Sequence, residues 1–244
     1  VDTKTARIIL IQSSGRVLPG MSEDSSASAL KQLESLGVEV RLNQRVSEVN
    51  DEGVKCGEEF IPARCVLWAA GVKGAPIGES LETELDRSGR LVVQEDLTIP
   101  GHPNIFVIGD QAAAKCSKSK KPVPGVAQGA MQGGAYVGKL IHREICAKRN
   151  GNPSPERKPF TYFDKGYMAT IGKNRAVADA FGLRISGFLA WLAWAVIHVF
   201  FLVSFRNRLF VCLSWLSTYL FGTRGSRLIT GKADFSIKKP LSFE

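Results

Sequence analysis

The stretch Asn104–Asp110, which reads Asn-Ile-Phe-Val-Ile-Gly-Asp, decides the fold of this chain. A short apolar run that stops at Gly109-Asp110 is typical of a strand buried on both faces, whose carboxyl end opens into a ligand-binding crevice. The glycine allows a ligand to approach the backbone closely. The carboxylate of Asp110 can accept hydrogen bonds from ribose or ribityl hydroxyls. Spacing alone fits equally well an aspartate that caps a helix or closes a turn.

A glycine-loaded helix is predicted downstream, from Val126 to Ile141. Each glycine lowers helix propensity by about 1 kcal/mol, so we expect a flat ligand or a neighbouring element to pack against this helix. Gln128 and Gln132 are four residues apart and therefore share a face. Their neutral amides can donate to and accept from the polar groups of a ligand without adding charge. A plain polar helix face is the alternative reading.

The residues before this stretch predict the second half of a nucleotide-binding domain. The pattern is a strand, an amphipathic helix and further short strands, followed by a small antiparallel insertion and an apolar strand. The predicted elements are strand Arg7–Ile11, helix Ser22–Leu36, strands Val38–Leu42 and Arg45–Val49, a hairpin into Phe60–Ala63, and strand Cys65–Trp68.

Small residues follow the last of these strands, in the segment Trp68–Val72. Ala70 and Gly71 would allow a flat cofactor to lie against the backbone, although tight packing explains such residues as well. A turn and strand over 86–93 and the residues Leu97–Pro100 then lead into the deciding strand.

The chain is basic, with 32 Lys and Arg against 23 Asp and Glu among 244 residues, and a net charge of +9. Such a charge calls for an acidic partner. The carboxyl-terminal excess lies among Trp and Phe, which favours an anionic lipid surface over nucleic acid. Its basic residues are Arg184, Arg206, Arg208, Arg224, Arg227, Lys232, Lys238 and Lys239. The five cysteines show no CxxC or metal spacing, so we expect reduced thiols and no metal site.

The stretch Ile185–Ser204 is nearly all apolar. At 1.5 Å per residue, about 20 residues would cross a bilayer core, whereas the run Leu209–Phe221 beyond Phe205–Arg208 is too short. Trp and Phe flanked by arginine fit helices that lie in one leaflet with arginines on the phosphates, and we favour this reading over a span. His198, four residues after Trp194, is expected to make a packing or interfacial hydrogen bond.

Gly101–Asp110 resembles the second flavin-binding motif of the two-dinucleotide-domain flavoproteins. Together with Ala127-Gln128, Gln132 and the Trp-x-x-Trp-x-x-x-His element that ends in Phe-Arg-Asn-Arg, it narrows the resemblance to the type II NADH:quinone oxidoreductases. The resemblance extends to about Ile229. It implies an α/β fold, a partial two-dinucleotide-binding-domain (Rossmann-like) flavoprotein with a C-terminal amphipathic helical membrane anchor.

By this resemblance, Asp110 and Gly109 hold the FAD ribityl chain, and Ala127 and Gln128 lie beside the isoalloxazine. Gln128 and Gln132 line the quinone pocket. The resemblance also implies that Ala70 and Gly71 border the nicotinamide. Lys173, after a predicted two-strand element, would influence the electrostatics near the reduced flavin, with a solvated lysine as the alternative. No side chain stands out as a catalytic acid or base.

Gln12 stands at the end of the first strand, where the family commonly has a glutamate that binds the adenosine ribose. A neutral amide can bond a ribose hydroxyl without repelling a 2′-phosphate, and Arg16 lies four residues further on. This predicts relaxed or NADPH-leaning cofactor choice. A surface glutamine without such a role is the alternative.

The predicted domains are the second half of an NAD(P)H-binding domain (1–74), the C-terminal part of an FAD-binding domain with quinone-site elements (75–182), membrane-anchoring helices (183–230) and an unassigned tail (231–244). No Gly-rich turn precedes the first strand, whereas the family pattern has two upstream. We therefore expect the carboxyl-terminal half of a longer enzyme, a fragment that alone binds FAD weakly or not at all.

The resemblance implies a non-proton-pumping NAD(P)H:quinone oxidoreductase of the respiratory chain, which passes a hydride from NADH or NADPH to FAD and two electrons to a membrane quinone. The expected location is peripheral (monotopic), on the cytoplasmic face of the inner or plasma membrane, with dimerisation through the tail. Two alternatives stay open: a truncated, non-catalytic membrane-associated module, and a flavin-dependent quinone reductase with another electron donor. No nucleic-acid partner is expected.

Overall fold

The structure is a computed structural model that describes residues 6–222 and Leu241–Ser242. The chain divides into two compact units. Unit 1 combines the residues up to Leu67 with those from Gly166 onward, and unit 2 is Trp68–Lys165. This division rests on compactness and does not test the functional labels of the predicted domains, which stay predictions. Arg224, Arg227, Lys232, Lys238 and Lys239 lie outside the described residues.

Unit 1 begins with the predicted strand–helix–strand. Strand β1 (Ile8–Ile11) runs parallel to β2 (Val38–Arg41), and helix α1 (Glu23–Ser35) connects them. The Ser22 hydroxyl caps α1 by accepting a hydrogen bond from the Ser25 backbone N–H, and two acidic residues in the first turn suit the positive end of the helix dipole. The helix ends before Gly37, as predicted.

Alternate residues of β1 face two different cores, as the period of a strand requires. Leu10 packs with α1 around Ala29 and Val177, while Ile9 and Ile11 pack against a second cluster. The second cluster belongs to an antiparallel sheet in the order β13-β3-β4-β5, and its buried members include Val54. The strands are β3 (Val46–Val49), β4 (Gly53–Cys56), β5 (Glu59–Pro62) and β13 (Leu241–Ser242), the last within the tail that the sequence left unassigned.

The predicted apolar strand Cys65–Trp68 is wrong. These residues have no strand partner, and the side chain of Leu67 is 87% exposed. A strand of a parallel sheet exists through hydrogen bonds to a neighbour, and β1 and β2 pair only with each other in the described part of the chain. Apolar composition without a pairing edge therefore left this segment outside the sheets of the described chain.

Unit 1 closes with a three-stranded antiparallel sheet and two helices. The strands are β10 (Tyr167–Gly172), β11 (Arg175–Ala180) and β12 (Leu183–Gly187), followed by α3 (Phe188–Phe201) and α4 (Phe205–Phe221). The two-strand element predicted over Pro159–Gly172, and completed by Lys173, Asn174 and Arg175, is wrong in its first half: residues 159–166 form no strand in the described chain, and β10 pairs with β11, which begins at Arg175. β11 is the centre of the sheet and carries buried Ala176 and Ala178, which pack against Ala190 of α3.

The predicted helical stretch Ile185–Ser204 is wrong at both ends. Its first residues belong to β12, which pairs with β11, and α3 stops at Phe201. The predicted interruption at Phe205–Arg208 is the first turn of α4 instead. The helical conformation is interrupted just before α4, at Ser204, whose φ is +76°. The side chains of Asn207 and Arg208 donate hydrogen bonds to the backbone carbonyls of Val203 (2.9 Å) and Leu202 (3.0 Å). These polar residues therefore provide hydrogen-bond partners for carbonyl groups between the two helices.

Unit 2 is a set of small β pairs around one long helix. Strand β6 (Leu91–Val92) runs parallel to β9 (Ala112–Ala113), and β7 (Thr98–Ile99) pairs antiparallel with β8 (His102–Phe106). Helix α2 (Ala127–Arg149) begins one residue after the predicted start at Val126 and extends eight residues beyond the predicted end at Ile141. The core of unit 2 includes Leu97, Ile99, Val107 and Val137.

Strand β8, which contains the apolar run predicted as a buried strand at Ile105–Ile108, differs from that prediction. β8 ends at Phe106, two residues early, and it is not buried on both faces because Ile105 and Phe106 are half-buried and Ile108 is exposed. Its described partner is a single antiparallel hairpin neighbour, so one edge and part of one face stay open to solvent. Val107 alone of the apolar run is buried.

Candidate functional site

Gly109 and Asp110 form a short 3-10 turn after β8, in unit 2. Gly109 has a φ of +64° and its missing Cβ would lie 3.2 Å from the Cβ of Ala130, so the turn needs glycine both for its backbone and for its contact with α2. Asp110 is exposed, and its carboxylate makes no hydrogen bond or ion pair with another described residue. The structure therefore presents an acceptor that no protein group occupies within the described chain.

The loop before α2 brings that carboxylate next to the start of the helix. A Cβ on Gly125 would lie 3.3 Å from Oδ1 of Asp110. The cap residue Val126 offers no side-chain hydrogen bond, and no acidic residue lies in the first turn. The backbone N–H groups of Ala127 and Gln128 therefore face outward without a capping acceptor, at the positive end of the helix dipole. The side-chain amide of Gln128 is half-buried and has no described hydrogen-bond partner.

Gln132 is used differently from Gln128. Its amide nitrogen donates to the backbone carbonyl of Phe163 (2.9 Å), and its amide oxygen accepts from the backbone N–H of Phe163 (2.9 Å). The whole amide is therefore engaged in holding the segment after Phe160 against α2. Gln128 and Gln132 share a helix face as predicted, but only Gln128 has its amide available.

Sequence reasoning missed a second amide clamp. Gln111 accepts from the backbone N–H of Ala75 (2.6 Å) and donates to the Ala75 carbonyl (3.1 Å). This fixes the segment containing Ala70 and Gly71 to the turn that carries Asp110. Gly71 has a φ of +106° and open space where a Cβ would be, so tight packing does not explain it. In the sequence, the only feature that could have indicated this pair of hydrogen bonds is the position of Gln111, directly after Gly109-Asp110.

A small cavity of about 20 Å³ lies beneath the Asp110 turn. Gly109, Gly125, Gly129 and Gly133 line it together with apolar side chains such as Leu97. Asp110 and Gln128 are outside this lining. The cavity is too small for an aromatic ring system, so any flat ligand of these residues must lie on the surface above the glycines.

The remaining predicted nucleotide residue, Gln12, lies in unit 1 at the end of β1. Its backbone N–H donates to the Arg41 carbonyl (2.9 Å), and its carbonyl accepts from the backbone N–H of Gln44 (3.1 Å). Arg16 donates from Nη2 to the carbonyl of Pro19 (2.9 Å), while its Nη1 is buried without a partner in the described residues. Arg16 thus shapes its own loop rather than pointing freely at solvent.

Lys173 is in the turn between β10 and β11, also in unit 1. Its Nζ lies 4.3 Å from the ring centroid of Tyr219 in α4, a cation–π contact. The Tyr219 ring in turn packs on Trp191 of α3 (5.3 Å), and Trp194 stacks on Trp215 (5.7 Å). Lys173 therefore joins an aromatic seam that holds α3 and α4 together.

The outer surface of α3 and α4 is apolar. Its exposed side chains include Phe200, Phe205, Phe210, Leu220 and Phe221, each more than 60% exposed. His198 donates from Nδ1 to the Trp194 carbonyl (2.7 Å), as predicted for a packing role. Among the described residues, no helix has both the length and the apolar character to traverse a bilayer.

The sequence profile of the pyridine nucleotide-disulphide oxidoreductases matches residues 3–134, more than half of the chain, and the chain belongs to this family. A second profile, that of the NDH2 C-terminal domain, matches residues 165–224. The resemblance to type II NADH:quinone oxidoreductases is thereby confirmed.

Named relatives agree. The chain is 40% identical over 245 residues to a type II NADH:quinone oxidoreductase, Ndh, of Mycobacterium tuberculosis, with 97% of this chain and 51% of the relative covered. It is 30% identical to an internal alternative NAD(P)H-ubiquinone oxidoreductase of Arabidopsis thaliana, covering 91% of this chain and 45% of the relative. The chain thus spans about half the length of the curated relatives it matches.

A solved structure shows the same fold. NDH2 of Plasmodium falciparum in complex with NADH superposes with a TM-score of 0.77 at 18% identity, over 91% of this chain and 59% of that one. The Rossmann-like α/β fold is confirmed by this match and by the family assignment.

Proposed function

We propose that the whole protein is an FAD-dependent NAD(P)H:quinone oxidoreductase that does not pump protons. Family membership and the activities for which the relatives are named support this proposal. The single structural observation that carries it is the Asp110 carboxylate, which has no hydrogen-bond partner among the described residues and lies beside the uncapped start of α2. Together they offer an acceptor for hydroxyls and two donors for carbonyl oxygens within one loop cluster of unit 2.

The residues present fit a flavin. Ribityl hydroxyls require an acceptor that is not already paired, and Asp110 provides one. A flat ring needs backbone that it can approach, which Gly109 and Gly125 supply because neither carries a Cβ. When bound, FAD would supply the two-electron carrier between nicotinamide and quinone. The chain's own groups would bind the flavin, orient its ring and shield it from water.

The start of α2 would stabilise negative charge on a reduced ring. The N–H groups of Ala127 and Gln128 point out of the helix end, where the dipole is positive. The first turn of α2 contains no acidic residue, and the acidic group described beside the helix start is the carboxylate of Asp110. Gln128 would add a neutral side-chain donor and acceptor at the junction of flavin and quinone.

Gln132 would shape the same junction through Phe163. Its two hydrogen bonds fix the backbone of Phe163, whose side chain is 60% exposed. An aromatic ring held in this way gives a flat apolar wall for a quinone head group. We therefore keep both glutamines in the quinone site, Gln128 by direct contact and Gln132 by positioning.

Two sets of nicotinamide contacts are proposed, each within its own unit. In unit 2, the open backbone at Gly71, with Ala70 beside it, would let a flat nicotinamide ring approach. In unit 1, Gln12 would bond the adenosine ribose in place of an acidic residue, so NADPH would be accepted alongside NADH. Lys173, whose ammonium group contacts the Tyr219 ring, would influence the reduced flavin through its charge, as the family resemblance implies.

Helices α3 and α4 would lie in one leaflet of the membrane. α3 has 14 residues, about 21 Å at 1.5 Å each, short of a hydrocarbon core of about 30 Å. Its exposed Phe and Leu side chains would enter the lipid, and exposed Arg206 would meet anionic headgroups. We propose a peripheral location on the cytoplasmic face, membrane quinone as acceptor, and pairing of two copies through the carboxyl-terminal helices.

The test is an electron-transfer assay on the purified full-length gene product. We expect flavin absorbance in the pure protein and oxidation of NADH or NADPH that depends on an added quinone. Flavin without nicotinamide oxidation would favour a quinone reductase with another donor. Lack of both flavin and activity, with vesicle binding retained, would favour a non-catalytic membrane module and contradict the proposal.

A further inference from the structure

A second groove opens on unit 2, along the face of α2 that carries Tyr136, and it shares only Phe160 with the lining of the cavity under Asp110. Its volume is about 660 Å³, which is in the size range of small-molecule sites. One wall is the helix face carrying Tyr136, Lys139, His142 and Arg143; the other is the segment with Lys158 and Phe160. Gln132, which the proposed quinone site uses to position Phe163, stands at one end of this groove, and the proposed redox function uses none of the other lining residues.

The groove is strongly cationic. Lys139, Arg143 and Lys158 line it, and none of them forms an ion pair with a described residue. No acidic residue is part of the lining. The nearby carboxylates of Asp96 and Glu144 are both engaged by Arg157, at 3.0 and 2.7 Å, and so do not neutralise it.

Lys139 and Arg143 are also four residues apart on one helix, where like charges repel each other and destabilise the helix by a few tenths of a kcal/mol. A bound anion would convert this repulsion into attraction. Arginine binds phosphate through two parallel N–H bonds, and lysine binds it as a point charge.

The floor of the groove is aromatic and fixed in place. Phe160 is 3% exposed and meets Tyr136 edge to face at 5.5 Å. The Tyr136 hydroxyl donates to the carbonyl of Lys158 (2.5 Å), which ties the two walls together. The Phe160 backbone is held by bonds to Glu95 and Ser117. The site is therefore formed before any ligand arrives, which lowers the cost of binding.

We propose that this groove binds an organic phosphate, with the phosphate on Lys139, Arg143 and Lys158 and an apolar or aromatic portion along Tyr136 and Phe160. The phosphate could belong to a free metabolite or to a lipid headgroup, which share this chemistry. The proposal is independent of the redox function and stands or falls on binding alone.

The experiment titrates phenyl phosphate by calorimetry into the purified full-length gene product in neutral detergent, with phenol as the uncharged comparison. We expect saturable 1:1 binding of phenyl phosphate and none of phenol. The double variant K139Q/R143Q should weaken binding by at least about tenfold, since each charged hydrogen bond contributes more than one such factor. The matched variant K148Q/R149Q removes the same charge from the exposed end of α2, outside the groove, and should bind as the wild type does.

Vesicles separate the two sources. Binding to phosphatidate vesicles that K139Q/R143Q alone weakens, without binding of phenyl phosphate, would assign the phosphate to lipid. If the variant does not fold, protection of Lys139 and Lys158 from amine-reactive labelling by phenyl phosphate in the wild type, with Lys148 unprotected, supports the site. Absence of binding to either probe, or equal loss in both double variants, would overturn it.

Discussion

The side-chain amide of Gln132 and the backbone of Phe163 form a closed pair of hydrogen bonds, each 2.9 Å long. Gln128, one helical turn earlier, has the same side chain and no described partner. Two glutamines that look equivalent in sequence therefore have different roles. Gln132 fixes the backbone of Phe163 against α2. Gln128 has its amide available for a ligand.

The substitution Gln132→Leu should lower the free energy of unfolding by about 1–2 kcal/mol, because two partly exposed hydrogen bonds are lost. Gln128→Leu removes no described bond and should change it by less than about 0.5 kcal/mol. Urea unfolding of the two variants measures the difference. Equal effects would mean that the Gln132 clamp contributes nothing particular.

The Asp96–Arg157 pair makes unit 2 sensitive to acid. Burial pushes the pKa of Asp96 upward, but hydrogen bonds from Thr98 and Arg157 outweigh it and hold the pKa below the usual aspartate value. A carboxyl with a lowered pKa in the folded state stabilises the fold above the unfolded pKa of about 3.9, and this stability is lost as pH falls below it.

Asp96→Asn should therefore flatten the fall in stability from about pH 5 downward, while lowering stability at neutral pH. Denaturant unfolding at a series of pH values measures both. Asp51→Asn, at an exposed hairpin position, serves as the control and should keep the wild-type slope. An unchanged slope in Asp96→Asn would assign the acid sensitivity to other groups.

The membrane surface is tested by Phe210→Asp, a charge placed on a side chain that is 72% exposed on α4. Burying one Phe in lipid contributes about 1.5–3 kcal/mol, so sedimentation with anionic vesicles should fall about tenfold or more. Leu67→Asp places the same charge on another exposed apolar residue, outside α3 and α4, and should leave vesicle binding intact. A similar loss of vesicle binding in both variants would indicate non-specific hydrophobic adsorption rather than a membrane-binding surface on α3 and α4.

Cofactor choice is tested by Gln12→Glu. A carboxylate there would accept from a ribose 2′-hydroxyl and repel a 2′-phosphate, so the NADH-to-NADPH ratio of kcat/KM in the full-length enzyme should rise about tenfold. Steady-state assays with the two nucleotides measure it. An unchanged ratio would remove Gln12 from nucleotide selection.

Local patterns predicted the parts of the fold that depend on nearby residues. The spacing of Leu30 and Leu33, the acidic first turn and Gly37 located α1 to within a residue at each end. The glycine and glutamine pattern located the start of α2, and Ser22 was placed at the helix boundary where it caps.

Predictions failed where the structure of a segment depends on a partner that is distant in sequence. Cys65–Trp68 has strand composition but joins no sheet among the residues that the structure describes, and Ile185 belongs to β12 because β11 offers it an edge. The role of Gln132 depends on Phe163, 31 residues away. Hydrogen bonds of this kind leave no periodic trace in the sequence, so only the folded structure distinguishes Gln132 from Gln128.

The central claim, that Asp110 holds a flavin, is tested most directly by the amount of FAD that copurifies with the full-length Asp110→Asn protein. Because the carboxylate has no described protein partner, stability without flavin should change by less than about 0.5 kcal/mol. Bound flavin should fall at least about tenfold, since charge-assisted hydrogen bonds to the ribityl hydroxyls are weakened. Asp51→Asn should keep the wild-type flavin content. A full complement of FAD in Asp110→Asn would contradict the account.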